Sequence, residues 1–224
     1  AVTFTGENGS LYQPVYGSDD DLVLYLPFSE NAINVSNKTY DRSPYGNDGT
    51  LVNINDGNVT NGTGWANAKY GTGIKLDGTD GYVDFGDILD MGSSDFTLEA
   101  WIKTPTLRSV IVGKYYGAAT QRSYEMTVSG VDGSLALATS SDGGAATSVS
   151  SNKLINDNKW HHVAAVKSGT SATLYVDGFL DATGSATASV FDNANSLAIG
   201  AEVNTDGTLD VLFNGTIDEV KIYK

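Results

Sequence analysis

The sequence predicts an all-β, antiparallel protein on three observations. Short β-rich runs recur along the whole chain, clusters of Gly, Asn, Asp and Ser separate them, and helical spacing of i, i+3, i+4, i+7 is nowhere sustained. The runs are residues 22–28, 73–76, 81–85, 96–104, 109–114, 124–129 and 134–139, then 160–168, 171–176, 196–200 and 213–223. Helix is expected at most as a single turn, as near Asp87 to Met91. Asp177-Gly178 between two β-rich runs suits a tight primed hairpin turn, and Asp132-Gly133 between 124–129 and 134–139 predicts a second hairpin. With 224 residues, 40% hydrophobic and 10% aromatic, the chain can bury a sizeable core, and all-β folds of about 200–250 residues commonly form one domain.

Composition narrows the partners. The formal charge of −14 works against nucleic acid and anionic membrane surfaces, while neutral sugars, cations and basic proteins remain open. With no cysteine, disulfides, thiol nucleophiles and thiolate metal sites are excluded. No run approaches the roughly 18 apolar residues of a membrane span, so no membrane insertion is expected. Sequons at Asn8, Asn34, Asn37, Asn58, Asn61 and Asn214 suggest an extracellular or cell-surface glycoprotein, and the chain reads as a mature or excised soluble piece. A chain this rich in Asn, Ser, Thr and Gly also produces such triplets by chance. Residues 1–20 read as a leading segment, linker or edge strand ending in an acidic boundary, with the domain proper at 21–224. Residues 29–70 are long for a structureless connection, which predicts functional or metal-organised structure there.

Several segments carry a family likeness. They are Asp21-Leu-Val-Leu-Tyr-Leu-Pro-Phe28 followed by Asp41-Arg-Ser-Pro-Tyr-Gly-Asn-Asp-Gly-Thr50, and Leu76-Asp-Gly-Thr-Asp-Gly-Tyr-Val-Asp84 leading into Phe96-Thr-Leu-Glu-Ala-Trp-Ile102. Trp160-His-His-Val-Ala-Ala-Val166 with Leu174-Tyr-Val-Asp-Gly178, and Phe213-Asn-Gly-Thr-Ile-Asp-Glu-Val-Lys-Ile-Tyr223, complete the set. In order and spacing they resemble the laminin G-like jelly rolls of the concanavalin A-like lectin/glucanase superfamily. The resemblance implies a two-sheet antiparallel β-sandwich in which 213–223 closes the fold beside the first strand. It implies a secreted or surface module that binds polysaccharide or glycan, or else an adhesive domain that binds a surface protein. A fold of this kind serves lectins, glycosidases and lyases alike, so the site must be argued from its own residues.

A glycosidase on such a sandwich needs two carboxylates, about 5 to 5.5 Å apart for retention. Glucanases of this fold carry a Glu-x-Asp-x-x-Glu strand; here Thr216-Ile-Asp-Glu-Val220 lacks the first glutamate, and Asp218 and Glu219, being adjacent, are expected on opposite faces. His161 and His162 are the only histidines, and the resemblance makes them the start of a structural strand. A non-catalytic chain is expected.

For a metal, the resemblance implies a calcium ion in the loop of Asp41, Asn47 and Asp48, with Asp218 on the closing strand as a further ligand. The alternative is that Asp41 and Asn47 cap turns through their own backbone. Asp77-Gly-Thr-Asp-Gly81 and Asp206-Gly-Thr-Leu-Asp210 lack EF-hand spacing and read as turns.

Sugar sites on β-sandwiches pair an aromatic platform with Asn, Asp, Gln or Arg. Tyr115 and Tyr116, beside Gln121 and Arg122 in a Gly- and Ala-rich loop, are one candidate patch; Trp65, in the long early loop, is a second. Asn204 and Asp206, in the loop 202–208, could add polar contacts from the same rim or form a plain solvated turn. The resemblance places Trp101 and Trp160 in strands, where they are expected in the core.

Overall fold

The computed structural model describes residues 20–29, 37–54, 63–117 and 120–224; the leading segment up to residue 19 and the sequons at Asn8, Asn34, Asn58 and Asn61 lie outside them. Two eight-stranded antiparallel sheets stack as a sandwich, and no helix occurs among the described residues. The first sheet holds β1 (Leu22–Leu26), β4 (Gly64–Asn67), β5 (Thr72–Asp77), β7 (Phe96–Lys103), β12 (His161–Ser168), β13 (Ser171–Val176), β14 (Phe179–Ser185) and β18 (Asn214–Tyr223). The second holds β2 (Lys38–Thr39), β3 (Gly49–Val52), β6 (Tyr82–Asp84), β8 (Ser109–Tyr116), β9 (Gln121–Val128), β10 (Ser134–Thr139), β11 (Thr147–Leu154) and β15 (Ala198–Ile199). A separate hairpin, β16 (Glu202–Val203) with β17 (Leu209–Asp210), lies against β8.

The core follows from period-2 alternation. In β7, Phe96, Leu98, Ala100 and Ile102 point inward, and their neighbours Thr97, Glu99, Trp101 and Lys103 lie half-buried on the outer face. Across the sandwich Tyr124, Met126 and Val128 of β9 and Leu135 and Leu137 of β10 face them in one continuous apolar cluster. Asp177-Gly178 forms the tight hairpin, with φ of 53° and 81° at its two central residues and Val176 paired to Phe179. The Asp132-Gly133 hairpin also forms, but with a longer connection, since Val128 pairs with Leu135. β1 pairs with β18, as the resemblance implies.

Trp101 lies on the outer face of the first sheet and Trp160 is half-buried just before β12, so neither belongs to the core. The reason for Trp101 is register: its neighbours Ala100 and Ile102 take the inward positions. Trp65 moves the opposite way. It is not a loop residue but sits in β4 opposite Ile74, buried against Phe28 at 6.3 Å between ring centroids.

Candidate functional site

The β16–β17 hairpin, folded against β8, leaves a cavity of about 500 Å³ over the outer face of the second sheet. Gly113 of β8 pairs with Glu125 of β9, and a Cβ on Gly113 would lie 2.6 Å from that of Glu125, so glycine makes room for the glutamate. Alternation puts Tyr124 and Met126 in the core and therefore sends Glu125 outward into the cavity wall. Tyr115, Arg122, Glu202, Arg108 and Asp210 line the same cavity.

Its chemistry is that of buried acids. Glu125 is 8% exposed, and its Oε2 has no hydrogen-bond partner among the described residues. Burial, reinforced by the neighbouring Glu202, pushes its carboxyl well above the usual range. Burial also raises Glu202, whose Oε2 accepts the Gly117 N–H at 2.5 Å. The Tyr115 phenol is pushed up to about 12, first by burial and then by Glu125. Neither arginine is hydrogen-bonded to Glu125: Arg122 donates to the carbonyls of Gly144 and Gly117, and Arg108 pairs with Asp210 at 3.3 Å on the rim. A ligand hydroxyl, which both donates and accepts, would satisfy what the protein leaves open.

The predicted patch is thus partly assembled. Tyr115 and Arg122 line the cavity, but Tyr115 stands in β8 and is 8% exposed, so it is a wall and not a loop platform. Tyr116 ends β8 opposite Gln121, whose carbonyl accepts from Asn193 and Asn195; neither Tyr116 nor Gln121 lines the cavity. Asn204 and Asp206 close the β16–β17 turn, with Asn204 N–H donating to Thr208 O and Asp206 accepting the Thr208 N–H. Trp65 is core. Glu202 opens the loop 202–208 from which polar contacts are expected, whereas Glu125 lies outside every patch the sequence offers; the alternation of Tyr124, Glu125 and Met126 is the signal for it.

Asp41, Asn47 and Asp48 come together, but Asp218 does not join them. The Asp41 carboxylate accepts Tyr25 N–H and Ser43 N–H at 2.8 Å, Ser43 hydroxyl at 2.6 Å and Asn47 N–H at 2.7 Å. Asp48 accepts the Asp41 N–H at 3.0 Å, and Asn47 Nδ2 donates to Val23 O at 2.9 Å. Donor hydrogens converging on an oxygen occupy its lone pairs and repel a cation, so these residues do not fit a calcium shell; they tie the loop to β1. Asp218 lies opposite Trp101, beneath the 69–70 turn, and accepts Tyr70 N–H at 2.8 Å and Glu219 N–H at 2.9 Å. Among the described residues no group of three or more His, Cys, Asp or Glu is placed to hold a metal.

Asp218 and Glu219 do not take opposite faces. A bulge at Glu219, φ 51°, leaves two residues between the inward Ile217 and Val220, and both acids leave the core side. Glu219 accepts the Tyr25 hydroxyl at 2.9 Å, so both carboxylates serve the strand packing. His161 is buried with Nδ1 2.9 Å from Asp177 and Nε2 3.0 Å from Asp157, a structural tie at the start of β12.

A laminin G-type family model, described as concanavalin A-like lectin/glucanases superfamily, matches residues 77–224. The chain belongs to that superfamily. No curated protein matches it. Among solved structures this superfamily member is similar to the binding domain of Paraclostridial mosquitocidal protein 1, with a TM-score of 0.66 and 19% identity over 91% of this chain and 49% of that one. It is similar to domain 4 of a GH43 extracellular arabinanase from Geobacillus stearothermophilus, solved with arabinotriose, with a TM-score of 0.62 and 21% identity over 91% and 92% of the two chains. The binding domain of botulinum neurotoxin DC in complex with SialylT gives a TM-score of 0.59 and 13% identity over 91% and 47%. The chain thus spans about half of each toxin binding domain and nearly all of the arabinanase domain. At these identities the likeness is one of fold.

Proposed function

We propose that this chain is a non-catalytic glycan-binding module of a secreted or cell-surface protein, with its ligand seated in the Glu125 cavity. The observation that carries the reading is the Glu125 carboxyl, buried yet with Oε2 unpartnered in the wall of a cavity that also presents Tyr115 and Glu202. Sugar hydroxyls both donate and accept, so they match a buried carboxyl whether or not it carries its proton. The likeness to a domain solved with arabinotriose supports the reading.

A ligand that binds only the folded state raises its melting temperature. Thermal unfolding with a panel of soluble neutral polysaccharides should show a shift for at least one, weakened by Tyr115→Ala or Glu125→Gln in variants that retain the parent transition. A panel without any shift sinks the glycan reading. Turnover of a polysaccharide that disappears in Glu125→Gln would instead make the cavity a hydrolase site.

Exposed Phe179 and Leu180, together with Leu154, favour a second reading as an adhesive domain for a surface protein. Binding to cells that Phe179→Ser abolishes, with no hit on a glycan array, would select it.

A further inference from the structure

The register of the first sheet places two cations side by side. Thr216 of β18 pairs with Lys75 of β5 on one side and with Lys103 of β7 on the other. One position along, Ile74, Ile217 and Ile102 are fully buried, so Lys75, Thr216 and Lys103 share the outer face. Two strand spacings separate the lysine backbones, about 9.6 Å. His161 pairs with Ile102, which sets Trp160 beside Lys103. These groups and the carboxamides of Asn158 and Asn214 line a cavity of about 350 Å³.

Like Lys38, Lys69, Lys167 and Lys224, the two lysines hold no carboxylate among the described residues, but these two lie side by side on one cavity wall. Acidic residues outnumber lysines and arginines 27 to 13, and Lys114, Lys153, Lys159 and Lys221 all hold carboxylates. Among the described residues Lys75 and Lys103 make no ion pair, although both are half-buried on a cavity wall. The rim is rigid. Thr104 hydroxyl donates to Asn214 O at 2.6 Å, and Asn158 N–H donates to Thr104 O at 3.0 Å. Gly215, φ 151°, brings β18 so close that a Cβ would sit 2.2 Å from Lys103 O.

We propose that this cavity is a separate subsite for an acidic sugar, its anionic group held between Lys75 and Lys103 and its ring lying against the indole of Trp160. Asn158, Asn214 and Thr216 offer polar atoms for ring hydroxyls, the mix of aromatic face and polar groups that sugar sites use. The net charge of −14 repels a long polyanion, but beyond about 8–10 Å that repulsion is screened, so a short oligomer with one or two acid groups is the fitting ligand. The subsite lies on the opposite sheet from the Glu125 cavity, and neither assignment depends on the other.

Calorimetric titration of the whole chain with digalacturonate, its methyl ester and a monosulfated galactobiose, at 50 and 250 mM NaCl, tests it. The acid forms should bind at least about tenfold more tightly than the ester, and more weakly at the higher salt. Binding of only the sulfated probe would assign a sulfate seat, and of only the galacturonate a carboxylate seat. Lys75→Gln with Lys103→Gln should erase the preference for acid, Trp160→Ala should weaken all binding, and Lys38→Gln, at an exposed lysine of β2 on the other sheet, should leave it intact, each variant being checked for an unchanged melting temperature. Equal affinity for acid and ester, no binding of either acid probe, or an unaltered double-lysine variant would overturn the proposal.

Discussion

Asp41 shows how one side chain can answer to two readings until its partners are known. Its oxygens are filled by two hydroxyl or amide donors each, and Tyr25 N–H is buried beneath it. Asp41→Ala would strand that N–H and release the 41–48 turn, and a buried amide without an acceptor costs about 1–3 kcal/mol. Chemical denaturation should show a loss of about 3 kcal/mol, whereas calcium added to the chelator-treated parent should leave its melting temperature unchanged. A calcium-dependent rise abolished by Asp41→Ala would restore the metal reading. The residue types at 41, 47 and 48 were legible in the sequence; what they would bind was not, because an Asx turn and a metal loop draw on the same oxygens.

At the scale of elements, legibility follows alternation. β7, β10 and β13 stand where period and turn residues predict them, with β10 and β13 matching to the residue. The misses have physical causes. β2 and β3 are too short to show a period, and β4 lies in a segment whose Asn, Gly and Thr content reads as loop, whereas β15 falls inside the expected 196–200 run. β11, Thr-Ser-Val-Ser-Ser-Asn-Lys-Leu, is a polar edge strand held by pairing to β10, which no local signal reveals. β8 was expected to stop at Lys114, and its extension through Tyr116 is what turned Tyr115 from loop to wall. The Asp177-Gly178 turn carries a further load, since Asp177 also holds His161 Nδ1 at 2.9 Å and His162 N–H at 3.1 Å. Asp177→Asn keeps a residue that tolerates positive φ, while Asp177→Ala removes both the turn preference and the acceptor. Losses of about 1 and about 3 kcal/mol are expected in urea unfolding; equal losses would mean that the turn conformation alone matters.

Over the whole molecule, charge and burial pull stability in the same direction. The −14 charge favours expansion at neutral pH, and burial raises three carboxyls: Asp218 to about 6, Glu202 above its usual value and Glu125 well above it. A carboxyl whose folded pKa exceeds its unfolded value of about 4 lends stability that is complete below that value and is lost as pH rises through the folded one. For Asp218 the loss runs from about 4 through about 6, and for Glu125 it continues higher. Acids held down oppose this at low pH: Asp95, chiefly by the Gly169 N–H, and Asp157, chiefly by Lys159, stabilise above about 4 and lose that contribution on acidification. The melting temperature should therefore peak near pH 5 and fall toward pH 8. Salt at 0.5 M should recover the share due to surface repulsion but not the share due to buried carboxyls. Asp218→Asn, which keeps one acceptor for the Tyr70 N–H, should flatten the profile between pH 4 and 6 and leave the slope above pH 6 in place. A melting temperature that rises steadily from pH 5 to pH 8 would show that these carboxyls ionise as freely in the sandwich as in water, and that the Glu125 wall is hydrated rather than waiting for a ligand's hydroxyls.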